Sequence, residues 1–167
     1  MQKCSNQSTQ LSKGCVGAKE NRICSDGVNY VQSELGLTPK KAIISCEGGC
    51  IKGEIARVAT NILAYRLQRN EAVRICLGDA ATGDSGFVEL VKRSPNVIAI
   101  EGCSLQCGTE ILKKRLPELV TTVINASELY EFDRSKYFEI FDMPRPEIEE
   151  YAQKVAEYVQ KSFFITE

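Results

Sequence analysis

The sequence predicts an α/β protein built on a Rossmann-like, mostly parallel sheet with helices on both faces. Short apolar segments alternate with segments of helical periodicity along most of the chain, and this alternation is typical of parallel strands joined by right-handed helical crossovers. Cysteines lie at or just past the ends of three of the predicted strands. Because parallel strands direct their carboxyl ends to one edge of a sheet, we expect these thiols to cluster at that edge.

Composition and charge narrow the class of protein. The chain has 167 residues, of which 43% are hydrophobic and 26% are charged, and its formal net charge is −1. This charge gives no reason to expect nucleic acid or an anionic membrane as a partner, and no apolar run reaches the ~20 residues that span a bilayer. No secretory signal is visible, so we expect a cytoplasmic protein whose thiols stay reduced. The sequence identifies no protein partner.

We divide the chain into two parts. Residues 1–40 form a cysteine-containing N-terminal extension with one short helix, and residues 41–167 form an α/β domain that ends in a C-terminal helix. The extension is polar, and the spacing of Cys4, Cys15 and Cys24 matches no zinc-ligand rule. These cysteines either belong to an unstructured tail, or tie that tail to a second metal, or cap the first one.

Hydrophobic periodicity predicts the elements in chain order. A first helix covers residues 26–35, with Ser25 or Asp26 as its cap. Apolar segments predict four strands, at residues 42–45, 72–77, 96–100 and 119–124. Apolar stripes at helical spacing predict four further helices: residues 51–69, a short helix that carries Phe87, Leu90 and Val91, residues 106–116, and a last helix from Pro146 onward.

The connecting segments carry weaker signals. GDAATGD, at residues 78–84, is predicted to be a loop without the P-loop pattern, followed by Asp84 or Ser85 as a helix cap. In the helix at 106–116 we expect Ile111 and Leu112 to face inward. Residues 125–144 are predicted to form either one more short strand or a covering loop, and the aromatic residues of 130–141 are interpreted as a cover for the core. A protein-interaction segment at residues 128–142 is the less supported alternative.

Two cysteine turns share one plan. AIISCEGGC, at residues 42–50, and VIAIEGCSLQC, at residues 97–107, each combine an apolar strand, glycine and two cysteines separated by three residues. Cys46 and Cys103 follow strands, whereas Cys50 and Cys107 begin helices, whose N-terminal N–H groups favour a thiolate. Cys76 lies at the end of the strand at 72–77. The sequence therefore predicts five thiols at one edge of the sheet.

The chemistry of these thiols is restricted by the rest of the composition. The chain has eight cysteines and no histidine, which excludes Ser/His/Asp and Cys/His catalysis and mixed Cys/His zinc sites. Four thiolates suit a tetrahedral zinc ion, and they equally suit an iron–sulfur cluster. The candidate ligands number more than four, and one of them is then spare, bridging or reactive: Cys46, Cys50, Cys76, Cys103 and Cys107.

Two alternatives stay open at this point. Cys76 is either a ligand or a small buried hydrophobic residue. The whole set either holds a metal in a structural, carrier or regulatory role, or serves a thiol enzyme that handles sulfur, disulfides or a soft metalloid. In the enzyme, Cys50 or Cys107 would be the cysteine of lowered pKa.

Three segments together resemble the DGC-domain family, which is described as zinc-binding, over about residues 42–116. They are CEGGCIKGEIA from residue 46, ICLGD at 75–79, and EGC at 101–103 followed by Cys107. The family is named for an Asp-Gly-Cys triplet, and Glu101 takes the place of the aspartate here. The resemblance implies an α/β domain with a metal site formed by the five cysteines of the strand ends, but it implies no reaction. Glu101 either orients a ligand through hydrogen bonds or simply ends a strand.

Overall fold

The computed structural model describes residues 23–137 and 139–165. The helices are α1 (Ser25–Leu35), α2 (Ile51–Ile62), α3 (Leu77–Thr82), α4 (Phe87–Arg93), α5 (Cys107–Lys113) and α6 (Arg145–Phe163). The strands are β1 (Lys41–Ser45), β2 (Ala72–Arg74), β3 (Val97–Glu101) and β4 (Thr122–Asn125). A π-helical turn, Leu63–Leu67, continues α2, and a 3-10 turn, Ala126–Glu128, follows β4. In this part of the chain no helix combines the length and apolarity that a bilayer-spanning segment needs.

The four strands form one parallel sheet in the order β2-β1-β3-β4. Ile43 pairs with Arg74 of β2 on one side and with Ile98 of β3 on the other, and Ile98 pairs with Thr122 of β4. The sheet and its helices confirm the predicted α/β, Rossmann-like class. The chain moves outward from β1 to β2 and then returns past β1 to β3, so the direction of winding reverses between β1 and β3.

Two hydrophobic cores cover the two faces of the sheet. The first core joins Ile43 and Ile98 to α2 and α6. The second core joins Ile44 and Ala99 to α1, α3, α4 and α5. Neighbouring strand residues alternate between the cores, as the two-residue period of a strand requires. Consequently, α2 leaves β1 on one face, whereas α5 leaves β3 on the other.

The predicted loop at residues 78–84 is wrong, because residues 77–82 form helix α3. Leu77 and Ala80 are buried in the second core, and the carbonyls at the end of the helix accept hydrogen bonds from the guanidinium of Arg115, including those of Ala80 and Gly83. A side chain from far along the sequence thus supplies the C-terminal partners of this short helix.

Other boundaries and caps also differ from the predictions. The strand predicted at 72–77 ends at Arg74, and the regular α-helix predicted to residue 69 ends at Ile62 and continues as the π-helical turn. The N-cap position of α1 is occupied by Cys24, where Ser25 or Asp26 was expected. The N-cap position of α4 is occupied by Gly86, where Asp84 or Ser85 was expected. Ser85 instead accepts the backbone N–H of Cys24 at 2.8 Å.

The prediction that Ile111 of α5 faces inward is also wrong. Leu112 is fully buried, as predicted, but Ile111 is 39% exposed. Helix α5 spans only residues 107–113, so a narrow face of it meets the sheet.

The segment after β4 covers the first core, as predicted. Tyr130 stacks on Tyr151 of α6 with 5.0 Å between ring centroids, and Phe132 packs beside both rings. Cys4 and Cys15 lie outside the described residues, so the proposed role of the extension stays a prediction.

Candidate functional site

The two cysteine turns lie side by side at the carboxyl ends of the central strands. Ser45, the last residue of β1, pairs with Ile100 of β3, and the backbone N–H of Cys46 donates to the Ile100 carbonyl at 3.3 Å. Cys103 follows Glu101 of β3 by two residues. This is the point where the winding direction reverses, which is the usual ligand-binding crevice of an open parallel sheet.

Glycines allow the backbones of the two turns to touch. A Cβ atom built on Gly102 would lie 2.7 Å from the backbone nitrogen of Gly53 and 2.7 Å from the carbonyl carbon of Lys52. A Cβ on Gly53 would lie 3.1 Å from the sulfur of Cys46. The beginning of α2 is therefore pressed against the end of β3, and the first turn lies directly against the second.

The first turn is shaped around its two sulfurs. Gly48 has φ +84°, a left-handed conformation that favours glycine, and it reverses the chain between Cys46 and Cys50. The Cys50 sulfur accepts the backbone N–H of Gly53 at 3.4 Å, so this thiol caps α2. Burial raises the pKa of the half-buried Cys46 thiol; a hydrogen bond from the Gly48 backbone opposes this, and the negative charges of Glu101, Cys107 and Cys50 add to the rise.

Glu101 fastens the second turn to the start of α5. Its side chain is only 1% exposed. The carboxylate accepts the backbone N–H groups of Gly108 at 3.2 Å and Thr109 at 2.6 Å, and the Thr109 hydroxyl at 2.8 Å. Neither role considered from the sequence included this cap, although an acidic residue shortly before a predicted helix is a signal that could have indicated it.

Cys76 lies in a different setting from the four turn cysteines. It occupies the N-cap position of α3 without a side-chain capping hydrogen bond, and it lines a cavity of about 410 Å³ together with Cys24, Asp79, Arg74 and Tyr65, among other residues. None of the turn cysteines lines this cavity. The structure thus brings four of the predicted ligands to the central strand ends and places the fifth beside β2.

The thiols are not gathered into a ready metal site. Within residues 23–137 and 139–165, no three Cys, Asp or Glu side chains are placed to hold one metal ion. Cys50 and Cys107 are exposed, whereas Cys46 and Cys103 are partly buried. The two turns are thus visible in the sequence, but in this arrangement no three of their side chains converge on one point.

Tyr130 is a functional candidate that the sequence did not reveal. Burial raises the pKa of its hydroxyl, with a further rise from the negative charge at Cys50, an opposing effect of the Arg134 cation and a smaller rise from Cys103. The hydroxyl is buried and has no hydrogen-bond partner in the part of the chain that the structure describes. A buried unpaired hydroxyl is uncommon in proteins and requires an explanation.

Glu54 contacts the first turn and joins it to two arginines. Its carboxylate accepts hydrogen bonds from Arg57 at 2.8 Å and from Arg145 of α6 at 2.7 Å. A Cβ on Gly48 would lie 3.2 Å from one of its oxygens, so the carboxylate touches the Cys46–Cys50 loop. Burial alone raises the pKa of Glu54, but the hydrogen bonds and charges of Arg57 and Arg145 outweigh burial and hold that pKa below its usual value.

We expect Glu54→Gln to lower the free energy of unfolding by about 2 kcal/mol at neutral pH, because it weakens charge-assisted hydrogen bonds that join α2 to α6. A folded-state pKa below the unfolded value gives stability that is present above the unfolded pKa, near ~4.3, and lost as pH falls through the lower folded pKa. Denaturation of both proteins at several pH values should show their difference shrinking across that window. Glu149→Gln, which removes the exposed second partner of Arg145, is the control and should change little. A difference that is constant down to pH 2 would contradict this explanation.

The fold and site together define an α/β protein with two thiol-bearing turns at the switch point of a parallel sheet. The family model of the DGC domain matches residues 42–155, more than half of the chain. The chain therefore belongs to the DGC-domain family, and the match extends beyond the resemblance seen in the sequence, through β4 and into α6. A search of curated proteins and a search of solved structures each gave no significant match.

Proposed function

We propose that this protein binds a metal ion, zinc, through the thiolates of the two cysteine turns, in a structural, carrier or regulatory role. The single observation that carries the proposal is the direct contact of the turns at the ends of β1 and β3, with Gly102 against Gly53. This contact puts four thiols on two adjacent loops at the crevice where such sheets bind ligands.

The donor set suits zinc in its chemistry. The chain has no histidine, and the described turns supply four sulfurs, which is the number a closed structural zinc site uses: Cys46, Cys50, Cys103 and Cys107. Because no three candidate ligands are already gathered, binding requires the exposed side chains of Cys50 and Cys107 to turn toward Cys46 and Cys103. The metal would supply a link between the two turns. Cys76 would join only if its loop moved, so we keep it as an additional candidate.

Within the same proposal, an iron–sulfur cluster is the alternative cargo of the four thiolates. A thiol-based redox or sulfur-handling enzyme is the second candidate function. It is favoured by the exposure of Cys50 and by the hydrogen bond that its sulfur accepts at the start of α2. A titration of thiol reactivity against pH tests it: if every thiol reacts with an apparent pKa near the unperturbed ~8.5, the protein has no activated nucleophile.

We expect wild-type protein purified without oxygen to contain about one zinc per chain and to be colourless. Cys46→Ser and Cys103→Ser each remove one ligand and should lose most of the metal and some stability, because metal binding is coupled to folding. Elemental analysis with an absorption spectrum measures both properties.

Cys24→Ser is the matched control, since Cys24 lies at the start of α1 beside Ser85 and outside the two turns; it should keep full metal content. Iron with acid-labile sulfide and a brown solution would show that the thiolates hold an iron–sulfur cluster and not zinc. Metal-free wild-type protein with all thiols reactive would overturn the metal proposal in favour of the thiol enzyme.

A further inference from the structure

The hydroxyl of Tyr130 is a buried hydrogen-bond donor without a partner among residues 23–137 and 139–165. The residue is only 8% exposed. Its ring is fixed by stacking on Tyr151 and Phe132, at centroid distances of 5.0 Å and 6.2 Å. A fixed ring cannot turn its hydroxyl out to water, so the protein keeps an unpaired donor in a defined place and bears the desolvation of that group.

The position of this donor is beside the junction of the two cysteine turns. Tyr130 shares a cavity of about 240 Å³ with Lys52. The carbonyl carbon of Lys52 is one of the atoms that a Cβ on Gly102 would touch, at 2.7 Å. Lys52 follows Cys50 by two residues, and Gly102 directly precedes Cys103. Lys52 thus belongs both to the lining of the cavity and to the backbone contact between the two turns.

The charged residues that line this cavity are mostly cations. Lys52 and Arg134 line it and make no ion pair or hydrogen bond with any residue that the structure describes, and Glu131 is the one carboxylate among its lining residues. Four thiolates around Zn²⁺ carry a net charge of −2, so two cations and a hydroxyl donor nearby match that excess. None of the described lining residues accepts a hydrogen bond from the Tyr130 hydroxyl.

We propose that Tyr130 is a positioning residue of the metal centre, whose O–H donates a hydrogen bond to a cysteine sulfur, of Cys50 or Cys103, once that sulfur is a metal-bound thiolate. The inference rests on the proposed function. It adds a residue that is not a metal ligand but stabilises the metal-bound thiolates. A thiolate is a much better acceptor than the neutral thiol, so the bond forms on metal binding and explains why the hydroxyl has no partner without it. Hydrogen bonds from outside the ligand set commonly tune metal affinity in this way.

The test compares wild type with Tyr130→Phe, which removes the hydroxyl and keeps the ring. Zinc affinity is measured by competition with a chromophoric chelator, and the metal-free proteins are compared by thermal unfolding. We expect zinc affinity to fall roughly ten- to hundred-fold, whereas the metal-free variant should be as stable as wild type or more stable, since the lost hydroxyl had no partner. In the Co²⁺-substituted proteins, the sulfur-to-cobalt charge-transfer band should shift to lower energy in Tyr130→Phe, because a thiolate without its hydrogen bond gives up electrons more easily.

Tyr158→Phe, on the exposed side of α6, is the matched control and should leave affinity and spectrum unchanged. Equal zinc affinity and an unshifted cobalt band in Tyr130→Phe would overturn the inference while leaving the zinc proposal standing. Loss of stability in metal-free Tyr130→Phe would also overturn it, because the hydroxyl would then have a structural partner. A wild-type protein that binds no zinc would overturn both, and that result is distinct from equal affinities.

Discussion

Gly102→Ala is expected to lower the free energy of unfolding by about 3 kcal/mol, because the added methyl group has no space. Its Cβ would lie 2.7 Å from two backbone atoms of α2, in Gly53 and Lys52, and 2.8 Å from the Gly53 Cα. Backbone atoms at a helix start cannot move aside as a flexible side chain can. The end of β3 and the start of α2 must therefore separate, and the two cysteine turns must separate with them.

Chemical denaturation of the metal-free protein measures this loss. Gly49→Ala is the matched control within the first turn, since nothing lies within 4 Å of a Cβ at that position and its φ is not in the left-handed range. We expect that control to stay within about 0.5 kcal/mol of wild type. If Gly102→Ala were as stable as Gly49→Ala, the contact between the turns would not exist in solution.

Glu101→Gln is expected to cost about 2–3 kcal/mol, since hydrogen bonds to a charged acceptor are the stronger ones and a buried donor left unpaired is costly. The carboxylate serves three donors with two oxygens. An amide offers one oxygen and turns an NH₂ group toward one of the remaining donors. Helix α5, which begins at Cys107, should then lose its N-terminal anchor.

Thermal and chemical unfolding of the metal-free protein measure this effect, with Glu110→Gln as the control on the exposed face of the same helix. Among the described residues, the exposed carboxylate of Glu110 pairs with Lys113 at 3.6 Å, so its loss should be small. Glu101→Asp keeps the charge and both acceptors, so it should lose less stability than Glu101→Gln. The opposite order would show that the length of the side chain matters more than its charge.

Much of the fold was predictable because hydrophobic period and strand-ending residues are local signals. The strand at 42–45, the start of α2 and the buried residues Phe87, Leu90 and Val91 of α4 follow directly from them. Helix α3 did not, since the GDAATGD segment has the composition of a loop and its last carbonyls are satisfied by Arg115. A partner that distant in sequence leaves no mark in the segment itself.

The candidate site was predictable to a similar extent. The two turns were visible as sequence patterns, but the separation of Cys76 from them depends on the cavity beside β2. The cap formed by Glu101 depends on how α5 is placed against the end of β3. The interest of Tyr130 depends on its hydroxyl having no partner in the described part of the chain, and no sequence pattern indicates that.

The pairing of β1 with β3 sets a limit on how little of this chain can reproduce the site. Each turn by itself contributes two thiols, and the other two belong to a segment that begins after α2, β2, α3 and α4 have been traversed. A peptide that spans either turn would contain only half of the donors. The unfolded chain is in the same position, because closing the long loop between Cys46 and Cys103 carries an entropic cost that only the folded sheet overcomes. The four-thiol arrangement is thus a property of the assembled sheet, and whatever binds there selects the folded chain over the unfolded one.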